Sequence, residues 1–82
     1  IGVPVAGVRP ELSKRERQVL LAWLRADSKL EAANSLYISV GTMNTHLTRI
    51  RTKYATVGRP AGTKAALLAR ALQDELTFLD EW

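Results

Sequence analysis

The chain has 82 residues, 46% of them apolar, with five glycines and three prolines; this suits one compact domain, not two, and is neither a disordered nor a loop-dominated composition. It has no cysteine, which excludes a disulfide framework and every thiolate metal site and leaves packing to hold the fold. No apolar run approaches the roughly 18 residues needed to span a bilayer, and the opening IGVPVAGVRP lacks the basic region and apolar core of a signal peptide, so a soluble, cytoplasmic chain without membrane attachment is expected.

Net charge is +4, and its placement is more telling than its size. No acidic residue occurs between Ala32 and Gln73, a stretch that carries Arg49, Arg51, Lys53, Arg59, Lys64 and Arg70, whereas Asp74, Glu75, Asp80 and Glu81 follow without a base. A basic segment of this length is the footprint expected for phosphate contacts, as it is for docking an acidic partner.

Residues 1–11 hold two prolines, two glycines and small aliphatics without periodicity, and read as the end of a linker entering from upstream. The domain is expected over 12–77, with a C-terminal tail over 78–82. Ser13 with Glu16 forms a capping box, in which the two side chains satisfy free amides of a first turn. Val19, Leu20, Trp23 and Leu24 then recur at helical spacing, so an amphipathic helix is predicted to about Ala26, with Trp23 in the core. Ser28 with Glu31 repeats the capping box and opens a two-turn helix over about Lys29 to Leu36, buried through Ala32, Ala33 and Leu36.

Ser39 is a third cap. Beyond it Met43, Leu47, Ile50 and Tyr54 follow the i, i+4, i+7, i+11 rhythm of a helix with one buried stripe. Turn residues from Thr56 to Gly62 predict a loop, and Thr63 caps a fourth helix to about Gln73, fraying toward Phe78. Four helices and no internal repeat are expected, an all-α fold.

With Met43 set to zero and about 100 degrees per residue, the stripe of the third helix lies near 340 to 40 degrees. Thr45, Thr48 and Thr52 form the opposite pole, Asn44 and Arg51 one shoulder, and Arg49, His46 and Lys53 the other. A surface helix usually mixes acids and bases for solubility; this one has no acid, so repulsion among Arg49, Arg51 and Lys53 calls for an external anion. Phosphates flanking a major groove would supply it, and short Thr and Asn side chains suit base edges. A two-turn helix, a tight corner and a longer polar-faced helix is the order of a helix-turn-helix, with the third helix here as recognition helix.

The other chemistries find little support. His46 is the single histidine and has no second ligand at metal spacing; packing or a phosphate contact suits it better. Ser13, Ser28 and Ser39 stand where caps are needed and lack a His and carboxylate pair, so no enzyme is expected and no cofactor is implied. Gly58 and Gly62 make no phosphate loop without its Lys-Ser/Thr. Single-strand binding would want exposed aromatics among the bases, and Tyr54 points inward on the wheel; Trp82 is placed at the end, exposed or against a neighbour. Two classes remain: a sequence-specific duplex binder, and a helical protein-interaction module docking an acidic partner. They differ in salt dependence and in preference for one DNA sequence.

The stretch LSKRERQVLLAWLRADSKLEAANSLYISVGTMNTHLTRIRTKYA closely resembles the LuxR-type helix-turn-helix domain of bacterial regulators. The family's opening Leu-Ser/Thr-x-Arg-Glu-x-x-Val-Leu stands as Leu12 to Leu20, and its Ile-Ser-x-x-Thr-Val-x-x-His as Ile38 to His46, with Met43 for valine. Lys53 and Arg59 match its helix-three lysine and following-loop arginine, and the likeness runs over about residues 12–73. The resemblance implies transcription regulation, with base reading by Asn44, Thr45 and Thr48 and phosphate contacts from Thr42, Arg49, Lys53 and Lys29. It further implies a homodimer through the fourth helix, for which Leu67, Leu68, Ala71 and Leu72 offer apolar area, and an upstream receiver or ligand-sensing domain, as in a response regulator. Uncharged Asn44 and Thr48 stand where the family often has lysine, Lys29 where asparagine is frequent, and Ala32 where isoleucine is usual, so a target sequence does not carry over.

Overall fold

A computed structural model describes residues 9–77 of the chain. Four helices occur in order: α1 Lys14–Arg25, α2 Lys29–Ser35, α3 Val40–Thr56 and α4 Lys64–Gln73, with no strand among the described residues. The linker over 1–11 and the tail over 78–82 fall largely or wholly outside the described residues, as do Phe78 and Trp82.

Each helix starts where a hydroxyl residue can accept from a free amide of the first turn. At α1 the Glu16 amide donates to Ser13 Oγ at 3.0 Å and the Ser13 amide to Glu16 Oε1 at 2.8 Å, completing the capping box. Ser39 and Thr63 accept from Thr42 and Ala66 at 3.0 and 3.1 Å. At Ser28 only the serine half forms, from the Glu31 amide at 3.1 Å; the second capping box expected there is incomplete. Ser13, Ser28 and Ser39 all serve as the caps expected of them.

Helix ends are set by left-handed residues. Gly58, at φ 76°, ends α3, with the Arg59 amide reaching back to Tyr54 O at 2.9 Å; glycine takes this conformation without a Cβ clash. Tyr37 and Glu75 do the same work for α2 and α4 at φ 57° and 60°, where an L side chain is strained. The Ile38 amide bonds Ala33 O at 3.0 Å and the Leu76 amide bonds Ala71 O at 2.9 Å, so all three turns are Schellman motifs. The helix α3 runs through Thr56, and the loop predicted from that residue begins just after it.

The centre of the fold is α1, which packs against each of the other three helices, while α2 packs on α1 and α3. Val19, Leu20, Trp23 and Leu24 of α1 are buried with Met43, Leu47, Ile50 and Tyr54 of α3. Ala32 and Ala33 are buried between them, and their small side chains let α2 approach both neighbours. Leu36 is half-buried against this core. Leu67 and Ala71 of α4 are fully buried in the same core. That corrects their assignment to a dimer face: their area is covered by the chain itself, and only Leu68 and Leu72, both half-buried, remain on the outer side.

Candidate nucleic-acid interface

The outer face of α3 is held by its inner one. Met43, Leu47, Ile50 and Tyr54 are each 0% exposed, which fixes the roll of the helix about its axis. Thr42, Asn44, Thr45, Thr48, Arg49 and Thr52 are consequently exposed, as a period of 3.6 requires. Thr45 Oγ1 donates to Gly41 O at 3.1 Å, which leaves its oxygen as an acceptor on an exposed residue. Thr42 Oγ1 accepts from Ser39 Oγ at 3.0 Å. Asn44 and Thr48 make no hydrogen bond within the described residues, so their donors and acceptors face water.

The helix is braced at its far end. Lys53 Nζ lies 2.6 Å from Glu16 Oε1 and donates to Glu11 O at 2.9 Å, with 39% of its side chain exposed. Burial pulls the Glu16 carboxyl upward, but the Lys53 hydrogen bond, the Ser13 amide, the Lys53 charge and the Ser13 hydroxyl outweigh it and hold the pKa below its ordinary value. One carboxylate thus caps α1 and ties down α3.

A second brace was not anticipated from the sequence. Arg59, in the loop after α3, is 0% exposed, and its Nη2 lies 2.7 Å from Asp74 Oδ1. Tyr54 donates to Asp74 Oδ2 at 2.8 Å, and the Arg59 guanidinium lies 5.4 Å from the Tyr54 ring centroid. Burial first, then the hydrogen bond and charge of Asp74, push the Tyr54 phenol far above its ordinary range, against a smaller pull from Arg59 and Arg70. The triad joins the end of α3 to the end of α4. Its available signal was a basic residue beside a glycine cap and an acid ending the next helix; both were read as parts of single-sign blocks.

These contacts correct the reading of the basic segment. Arg59 is a core residue and Lys53 is paired. Lys64 Nζ donates to Ala26 O at 2.6 Å, and Arg70 bonds Pro60 O and Gln73 Oε1, each at 3.1 Å. Repulsion along α3 is offset within the chain as well, since Glu16 answers Lys53 and the guanidinium of Arg51 sits 5.3 Å from the Trp23 ring centroid. Among the described residues Arg49 and Lys29 have neither a hydrogen bond nor a carboxylate partner; Arg49 is exposed and Lys29 half-exposed at the start of α2. His46 is half-buried with Nδ1 enclosed and unbonded.

Among the described residues no group of three His, Cys, Asp or Glu could hold a metal ion, and no helix is long and apolar enough to cross a membrane. What the site offers is a rigid, acid-free helix face of hydroxyls, one amide and one free guanidinium, flanked by braced cations. No curated protein and no solved structure matches the chain. The model of the family described as bacterial regulatory proteins, luxR family (GerE), matches residues 10–65, which take in α1, α2, the corner between α2 and α3, and all of α3. With that match covering well over half of its length, the chain belongs to the luxR family of bacterial regulatory proteins, a family of DNA-binding transcription regulators.

Proposed function

We propose that the chain is a sequence-specific, double-stranded-DNA-binding output domain of a larger regulator, with α3 lying in the major groove. The observation that carries this is the exposed, acid-free face of α3 opposite a stripe that is wholly buried. Asn44 and Thr48 present free hydrogen-bonding groups to base edges, and Thr45 adds a methyl and an acceptor. Arg49 and Thr42 hold phosphates along one wall, and Lys29 does so from the start of α2. Lys53 stands at the edge of this surface, where its first task is to hold α3 at its angle.

The folded unit is assigned to 12–77, between a linker over 1–11 and a tail over 78–82. An upstream receiver or ligand-sensing domain and a cytoplasmic setting accompany the reading. A homodimer through α4 would meet at Leu68 and Leu72.

Selection from random duplexes is the test. The expected result is one enriched motif, whose preference is relaxed by Asn44→Ala and Thr48→Ala, each by about 1–3 kcal/mol at one position. Arg49→Met should weaken every sequence alike. Failure to enrich any motif, or equal losses on all sequences from all three variants, would overturn the assignment.

A further inference from the structure

A helix in the major groove has a phosphate backbone on either side, and the α3 cation assigned so far, Arg49, serves only one of them. Arg49 lies on the shoulder near 240 degrees, while Asn44, near 100 degrees, has Arg51 beside it near 80 degrees at a spacing of about 100 degrees per residue. On that second shoulder Arg51 and Lys64 share one aromatic ring: the Arg51 Cζ is 5.3 Å and the Lys64 Nζ 5.6 Å from the Trp23 centroid. Trp23 is only 7% exposed, so the ring is a fixed part of the core and not a mobile surface group.

We propose that Trp23 is a platform that prepositions Arg51 and Lys64 as the phosphate contact for the second wall of the groove. The inference rests on the reading of α3 as the DNA-contacting helix. Arg51 is half-exposed, has no hydrogen bond or carboxylate within the described residues, and encloses its Nε without a partner. Its guanidinium keeps its terminal nitrogens without a hydrogen-bonding partner while its Cζ lies over the Trp23 ring. A stacked guanidinium gives up little rotamer freedom when it binds, which favours bidentate capture of a phosphate. Lys64 is steadied by its bond to Ala26 O and stands at the first position of α4, whose amide-rich end also favours an anion.

Two like charges on one ring repel each other, and neither is in an ion pair with a carboxylate among the described residues. The arrangement is held in the free chain by the quadrupole of the indole and is completed when a phosphate arrives. Charge on both shoulders leaves the threonines between them aimed at the groove floor.

The experiment measures binding of the 82-residue chain to its selected duplex and to random duplex from 50 to 300 mM salt. Arg51→Met keeps the alkyl stem on Trp23 and removes the charge. It should weaken both duplexes by the same factor, several-fold, and lower the slope of log K against log salt by about 0.9. Lys64→Met should do the same independently, and Arg51→Lys should restore the slope but not all of the affinity, because the planar stack is lost. Unchanged slopes in both methionine variants, with wild-type binding intact, would overturn the platform and leave the DNA reading standing. A loss confined to the selected duplex would overturn it too, by making Arg51 a base reader. Absence of any salt-dependent duplex binding by the wild-type chain would instead remove the DNA reading itself.

Discussion

Removing the Arg59 side chain should come close to unfolding the domain. Arg59 and Asp74 are 0% and 3% exposed, so Arg59→Met leaves a carboxylate in the core that keeps the Tyr54 hydroxyl as a donor but has lost its paired cation. Breaking one partner of a buried pair costs about 3–5 kcal/mol, against a total stability of roughly 4–12 kcal/mol for 82 residues. With a urea m-value of about 1 kcal/mol/M, the midpoint should fall by about 3 M or more. Urea titration followed by tryptophan fluorescence measures this directly. The companion variant Arg59→Met, Asp74→Leu, Tyr54→Phe replaces the whole triad by apolar side chains and removes the uncompensated carboxylate, so it should recover to within about 2 kcal/mol of the wild type. A loss below about 1 kcal/mol in the single variant, or a triple variant no better than the single, would refute the reasoning, because the pair would then not be a desolvated one.

The same triad predicts an alkaline effect. Above pH 10, the ordinary value for a tyrosine, the unfolded chain loses the Tyr54 proton while the folded chain keeps it, so stability falls by about 1.4 kcal/mol per pH unit. Tyr54→Phe should remove that slope, and parallel stability curves for the two proteins between pH 9 and 11 would contradict it. On the acid side, the depressed Glu16 carboxyl contributes stability that is present above pH 4.5 and lost as the pH falls through its folded value; melts of Glu16→Gln should show a shallower acid decline. Lys53→Met should lower stability without DNA by about 0.5–1 kcal/mol, allowing for solvent screening of a partly exposed pair, and an unmoved melting curve would return Lys53 to a purely DNA-facing role. At the corner between α2 and α3, Tyr37 is 96% exposed at φ 57°. Tyr37→Val should cost about 1–2 kcal/mol although the side chain touches almost nothing, since a branched Cβ resists the left-handed region; a neutral result in thermal melting would count against strain there.

The parts of this fold visible in the sequence are those that depend on near neighbours. Caps at Ser13, Ser39 and Thr63 are bonds across three residues, and the stripe of Met43, Leu47, Ile50 and Tyr54 needs only the helical period, so both follow from local spacing. From the same wheel came the outward placement of Asn44, Thr45, Thr48 and Arg49. Contacts between distant residues were not legible. Lys53 meets Glu16 across 37 residues, and Arg59 meets Asp74 across a loop and a helix, so each base looked free. In α4, Leu67, Leu68, Ala71 and Leu72 make a helix apolar on more than one side, and only the position of α1 decides that Leu67 and Ala71 turn inward. Tyr37 gave no glycine or asparagine to mark its left-handed turn.

Those long-range contacts change what the basic composition means for binding. Seven cations, Lys29 and the six from Arg49 to Arg70, would suggest a salt slope near 6 if each met a phosphate, at about 0.9 per contact. But Arg59 is buried, Lys53 is shared with Glu16, and Arg70 is bonded to Pro60 and Gln73. Lys29, Arg49 and Arg51 remain, with Lys64, although bonded to Ala26 O, counted for its proposed phosphate contact, which puts the slope for one chain at about 3–4. A measured slope near 6 for a single chain on duplex DNA would mean that the Glu16 and Asp74 pairs open on binding, and the two braces would then be switches and not supports. A slope of 3–4 would mean that α3 enters the groove as the free chain already holds it, with specificity resting on the uncharged face between its two cationic shoulders.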